Sequence, residues 1–117
     1  MSTQRITDLS YLREVAGDES LVIKEMLELF IAQVPEFTTN LRRHLANEEY
    51  IALGKEAHKA KSSVLVVGME DMGKKLKRLQ LMTEQGDNIN DYPAYVDDFI
   101  NSCNQAVEEL EEELSHL

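Results

Sequence analysis

The sequence predicts an all-α fold, an antiparallel four-helix bundle preceded by a short additional N-terminal helix. Three observations carry that prediction. The 117 residues include only two prolines and five glycines. Every long segment repeats apolar residues at spacings of three and four, with few β-branched alternations. The connections between these segments are short, which sets neighbouring helices antiparallel. With 43% hydrophobic residues the chain can build one core without staples, and residues 1–117 read as one domain.

The first helix is expected from about Asp8 to Ala16, stopping at Gly17, a natural left-handed terminator. Its Leu9 and Leu12 can pack as a lid. The second starts near Asp18 and repeats Ile23, Leu27, Phe30, Val34, Phe37, Leu41 and Leu45. Pro35 removes the hydrogen bond to the Ile31 carbonyl, and because the periodicity continues past it, a kink is expected rather than an end. Asn47, followed by Glu48 and Glu49, reads as the amino-terminal cap of a third helix that ends at Gly68. The fourth buries Met69, Met72, Leu76, Leu79 and Met82 and closes at Gly86. After a polar loop, Asp87 to Asp91, Pro93 opens the last helix, whose seam is Val96, Phe99, Cys103, Val107, Leu110, Leu114 and Leu117. Leu110 interrupts the acidic run from Glu108 to Glu113, marking that run as the wet side of a packed helix.

A net charge of −10 argues against nucleic acid, because neutralising phosphates requires a basic surface. The charge is unevenly spread. Residues 55–78 hold seven of the twelve basic side chains (Lys55, Lys59, Lys61, Lys74, Lys75, Lys77 and Arg78) against three acidic ones, a local +4 that leaves −14 elsewhere. Such a patch on an acidic body suits a small anionic site on a partner, although a solvated helix surface would look similar. No apolar run approaches a membrane span or has the form of a signal peptide, and the lone Cys103 cannot form an internal disulfide. A cytoplasmic setting without membrane contact is the expectation.

Most candidate chemistry falls away on spacing. A carboxylate-bridged metal site in a bundle needs two inward Glu-x-x-His pairs. Here the single match, Glu113 to His116, lies at the chain terminus, so no metal is expected. No Gly-x-Ser-x-Gly elbow or phosphate-cradling glycine loop is present. Cys103 reads as a small core hydrophobe, and His44 as a surface residue near the carboxyl-terminal dipole of the second helix.

His58 is different. At about 100° of rotation per residue, Tyr50, Leu53, Ala57, Ala60, Val64 and Val67 form one apolar stripe, and His58 lies outside it. Its own face carries Lys55, Lys61, Ser62, Ile51 and Leu65, with Gly54 one turn earlier. Lys61 and Ser62, at i+3 and i+4, bring an ammonium and a hydroxyl within reach of an anion formed on the ring. Small Gly54 and Ser62 leave room for another protein's active site, and Ile51 and Leu65 add exposed apolar area to dock it. The bland alternatives are a solvated surface histidine and a serine bonded back to the His58 carbonyl.

The run from Ala57 to Gly68 resembles the histidine-containing phosphotransfer (HPt) domain of multistep two-component phosphorelays. The family pattern reads roughly Ala-His-x-Leu-Lys-Gly-Ser-x-x-x-Leu-Gly. Ala57, His58, Lys61, Ser63 and Gly68 match it, and Val67 is a similar apolar replacement. Leu21 to Phe30, Pro35 and Leu41 look like the family's second helix, and Met72, Leu76 and Leu79 like its fourth. Two positions depart: Ser62 stands where the family has glycine, and Ala60 where it has leucine. Ser62 either crowds the approach or offers a hydrogen bond to the ring or the phosphoryl oxygens.

The resemblance implies that His58 accepts a phosphoryl group from a receiver-domain aspartyl phosphate and passes it to a second receiver. Lys61 would stabilise the phosphate, Ser62 would contribute a hydrogen bond or shape the approach, and Ile51, Gly54, Lys55, Lys59, Leu65 and Gly68 would meet the partner. The expected partners are response-regulator receiver domains, with a hybrid sensor histidine kinase as a further candidate. Without a nucleotide loop or metal cluster, the chain is expected to act as a carrier that is not itself an enzyme. No cofactor of its own is expected, Mg²⁺ being supplied by the receiver. The competing readings are a bundle that docks a partner without being phosphorylated, and a structural dimerisation bundle.

Overall fold

The computed structural model describes residues 5–117, and it is helical throughout its regular structure. The elements are α1 (Ser10–Ala16), α2 (Ser20–Ala46), α3 (Tyr50–Val66), α4 (Glu70–Gln85) and α5 (Tyr92–Ser115), with a single 3₁₀ turn at Ile89–Asp91 in the α4–α5 connection. Helix α3 packs on α2 and α4, and α5 closes the ring against the same two. Short α1 lies across α2 and buries Leu9 and Leu12, the lid that the sequence predicts.

Helix α2 runs unbroken through Pro35 and buries Ile23, Leu27, Phe30, Val34, Phe37 and Leu41, with Leu45 half-buried. The Phe37 ring meets Phe99 of α5 edge-on, centroids 6.3 Å apart, the geometry in which a ring's positive edge faces a negative π surface. Leu53, Ala57, Ala60, Val64 and Val67 of the α3 stripe are all fully buried, while Tyr50 is half-buried. Tyr50 packs edge-on against Tyr92, centroids 5.2 Å apart. The Tyr92 hydroxyl donates to one of two carbonyls, that of Asp87 at 2.7 Å and that of Met82 at 3.1 Å. Burial, followed by the nearby Asp87 charge, holds its phenol above the ordinary value.

Four sequence expectations need correction. Asn47 is not the amino-terminal cap of α3. It ends α2, Glu48 takes a left-handed φ of 56°, and Glu49 is the residue that precedes α3, without a side-chain cap. The carboxylate of Glu49 is instead engaged by His44, whose Nδ1 lies 3.1 Å from Oε1, so His44 is a half-buried partner across the α2–α3 turn and not a free surface group. That hydrogen bond holds Glu49 below the usual carboxylate range. Helix α2 begins at Ser20 and not near Asp18, because Gly17 and Asp18 both take left-handed backbone to turn the chain. In α5 the core face runs through Ile100 and Ala106 as well as Cys103 and Leu110, leaving Val107 and Leu114 half-buried and Leu117 exposed. A seam that averages 3.5 residues per step slips around a 3.6-residue helix, and here it slips away from the core.

Candidate functional site

Helices α3 and α4 lie antiparallel and in close contact, and two glycines permit the approach. A Cβ on Gly54 would collide with the Thr83 hydroxyl, and one on Gly73 would press on the Leu65 side chain at 2.7 Å. The contacts Gly54–Thr83, His58–Gln80 and Leu65–Gly73 therefore form one ladder along the two helices. Thr83 is buried, its hydroxyl donating to the Gln80 carbonyl at 2.7 Å.

His58 is exposed on this ladder. Its Nδ1 lies 3.1 Å from Gln80 Oε1, and Gln80 Nε2 donates to Glu84 Oε1 at 3.1 Å. A carbonyl oxygen only accepts, so the imidazole nitrogen facing it carries the proton. The other ring nitrogen, Nε2, has no partner among the described residues.

Around it, Ile51 is 57% and Leu65 42% exposed, large fractions for apolar side chains. Lys55, Lys59 and Ser62 are exposed and Lys61 is half-buried, about 60° round the helix from His58 on the α4 side. The Ser62 hydroxyl forms no hydrogen bond among the described residues, so the back-bond to the His58 carbonyl is absent. Ser63 belongs to the scaffold, donating to Gln33 Oε1 of α2 at 3.0 Å. Of the remaining cations in the basic stretch, Lys75 is paired with Asp98 at 2.6 Å, while Lys74, Lys77 and Arg78 are exposed on α4.

Two predicted contact residues are reassigned. Gly54 is buried between α3 and α4, so it sets the spacing of the helices and cannot touch a partner. Gly68 does terminate α3, with φ 76°, but the side on which a Cβ would stand is filled by the Asp8 backbone of its own chain, whose N–H donates to the Val67 carbonyl at 2.9 Å. Ser62, Leu65 and Gly68 line an open groove together with Ile6, Asp8 and Tyr11.

Sequence reasoning missed Gln80 and Glu84. Their i, i+4 spacing makes them neighbours at the edge of the α4 core face, but nothing local ties them to a histidine twenty-two residues earlier. Among the described residues no group of three His, Cys, Asp or Glu could hold a metal ion, and no helix is long and apolar enough to cross a membrane.

An exposed, hydrogen-bonded imidazole midway along α3 with lysines beside it is the kind of group a phosphohistidine carrier would need. The chain matches the Hpt domain family over residues 25–117, and it is a member of that family. Hpt domains are the histidine phosphotransfer modules of phosphorelays, working with receiver domains. Neither the search of curated proteins nor that of solved structures gave a match.

Proposed function

We propose that this chain accepts a phosphoryl group on His58 from the aspartyl phosphate of one receiver domain and delivers it to another. The observation that supports this reading best is the exposed ring with Nδ1 occupied by Gln80 and Nε2 free. In the forward step the Nε2 lone pair attacks phosphorus. An N–P bond forms as the P–O bond to the aspartyl carboxyl breaks, and its electron pair returns to that carboxylate. The imidazole keeps its Nδ1 proton and becomes positively charged, which strengthens the hydrogen bond to Gln80 and keeps the ring a good leaving group for the onward transfer.

Lys61 supplies a cation for the phosphoryl oxygens, and Ser62 a hydroxyl at the same rim. Ile51 and Leu65 give the partner an apolar footing, and Lys55 and Lys59 steer its acidic phosphorylation site towards the ring. Mg²⁺ held by the partner would supply the charge neutralisation of the transferring group, and this chain's own residues act as the carrier. The test is incubation with a phosphorylated receiver domain and Mg²⁺. Acid-labile phosphate should appear on the wild-type protein and be absent from His58→Gln. No label on the wild type, or label retained by the variant, would overturn the reading and leave a docking module.

A further inference from the structure

Gln80 can orient His58 only if its own amide is oriented, because an amide presents an acceptor on one side and a donor on the other. Turned one way, Oε1 faces Nδ1 and the ring must carry its proton there. Turned the other way, the NH₂ group faces Nδ1, the ring holds a lone pair at that atom, and the proton moves to Nε2. The second arrangement removes the nucleophile from the solvent-facing nitrogen. Nothing in the His58–Gln80 contact itself favours the first over the second.

We infer that Glu84 makes the choice, acting as a positioning residue two side chains away from the phosphoryl group. Its Oε1 lies 3.1 Å from Gln80 Nε2, on the next turn of α4. An ionised carboxylate accepts and cannot donate, so the NH₂ end of Gln80 must face it and Oε1 must face His58. The chain of donors therefore runs in one direction, from the imidazole through the amide to the carboxylate. Its negative end also stabilises the positive ring that phosphorylation creates, since hydrogen bonds in series polarise one another. Thr83 anchors the same turn of α4 through its bond to the Gln80 carbonyl, and the Gly54 contact holds that turn against α3. The geometry gives a surface glutamate, otherwise unremarkable in an acidic protein, control over which nitrogen of His58 reacts.

This inference rests on His58 as the phosphoacceptor, but its first readout does not. The experiment is ¹⁵N NMR of the imidazole in the intact protein at alkaline pH, where the ring is neutral and the two tautomers give distinct Nδ1 and Nε2 shifts. The wild type should be predominantly the Nδ1–H form. In Glu84→Lys the ammonium can only donate, so the Gln80 amide turns over and the ring should become predominantly Nε2–H. Glu84 is exposed, so the fold should be unchanged by circular dichroism. Gln80→Glu supplies a group that accepts on both oxygens, and in that background Glu84→Lys should leave the Nδ1–H form in place. Equal tautomer populations in wild type and Glu84→Lys, or a switch that survives in the Gln80→Glu background, would overturn the role of Glu84.

The second readout is phosphoryl uptake from a receiver. If the reactive tautomer falls to about one in ten in Glu84→Lys, the transfer rate should fall about tenfold, because only the competent fraction reacts. A tautomer switch with an unchanged rate would refute the link to transfer. Absence of uptake by the wild type, with the tautomer switch intact, would refute the carrier reading alone.

Discussion

His58 Nδ1 and Gln80 Oε1 stand 3.1 Å apart across the line where α3 meets α4. The contact joins the middle of α3 to the C-terminal half of its antiparallel neighbour, so the setting of the ring depends on how closely the two helices pack. Gly54 and Gly73 permit the approach, Thr83 fixes the local turn, and Gln80 reaches the imidazole from it. The core and the site are thus one construction.

Gln80→Leu should separate reactivity from stability. Gln80 is half-exposed, and a surface change of this kind alters stability by about 0.5 kcal/mol or less. The ring loses its Nδ1 acceptor, and with it both tautomer control and stabilisation of the charged phosphoimidazole. Phosphoryl uptake should drop by about tenfold, as expected for losing a charge-assisted hydrogen bond worth roughly 1.5 kcal/mol. Thermal melts and single-turnover transfer assays on the same preparation check both halves.

Gly54→Ala should be the reverse case, a mutation away from the ring that damages the scaffold first. The added Cβ meets the Thr83 hydroxyl, and turning Thr83 aside breaks its bond to the Gln80 carbonyl. Overpacking of this kind costs about 1–3 kcal/mol. Calorimetry should show a melting temperature several degrees lower, and Gly54→Ala combined with Thr83→Ala should recover part of the loss. A stable Gly54→Ala protein with normal transfer would show that the helices have slack at this crossing.

The role of Gly54 marks where the sequence stops being readable. The apolar stripe of α3, the burial of Cys103 and the exposure of His58 all follow from residue spacing, because a 3.6-residue period fixes which side chains share a face. Gly54 and Ser62 sit at equal angles on either side of His58, and the period treats them alike. Only the side on which α4 packs distinguishes them: it buries Gly54 and leaves Ser62 open. Gln80 and Glu84 were hidden for the same reason, since their meaning comes from a partner on another helix. The Asn47 cap failed locally. His44 takes the Glu49 carboxylate, and the left-handed Glu48 moves the start of α3 two residues on, so that Glu49 takes the cap position and Tyr50 opens the helix.

Cys103 offers an internal clock for unfolding. It is fully buried, and burial pushes its thiol up to about 12, so at neutral pH it is neither ionised nor reachable. A thiol reagent should modify the native protein only as fast as the α5 seam opens. Labelling should become immediate in denaturant, and rapid labelling of the native protein would contradict the packing around Phe99 and Leu110.

Lys61→Ala should slow transfer while leaving the fold intact. Lys61 makes no ion pair among the described residues and is half-buried beside the ring, so its ammonium is free to meet phosphoryl oxygens. Loss of one such contact at a partly solvated site should reduce the transfer rate by about tenfold. Arginine at this position should restore much of the rate, because the charge returns. An unchanged rate in Lys61→Ala would remove this residue from the mechanism.

Acid should loosen the N-terminal segment through Glu109. Its carboxylate accepts from the Ile6 and Thr7 N–H groups, the Thr7 hydroxyl and the Gln105 amide, at 2.6–3.1 Å. Burial raises its pKa, but the hydrogen bonds from Thr7, Gln105 and Ile6 together outweigh it and hold the group below the usual carboxylate range. A carboxyl whose folded pKa is depressed stabilises the fold above its unfolded pKa, and that contribution disappears as pH falls through the folded value. The segment should therefore be held firmly at neutral pH and released below the ordinary carboxylate range, uncovering the groove wall made by Ile6 and Asp8. Hydrogen exchange at the Thr7 and Asp8 amides, followed from neutral to acid pH with correction for intrinsic rates, should show protection lost over that window. Glu109→Gln should reduce the protection already at neutral pH and flatten its pH dependence. Wild-type protection that stays constant down through the acid range would remove Glu109 as the fastening.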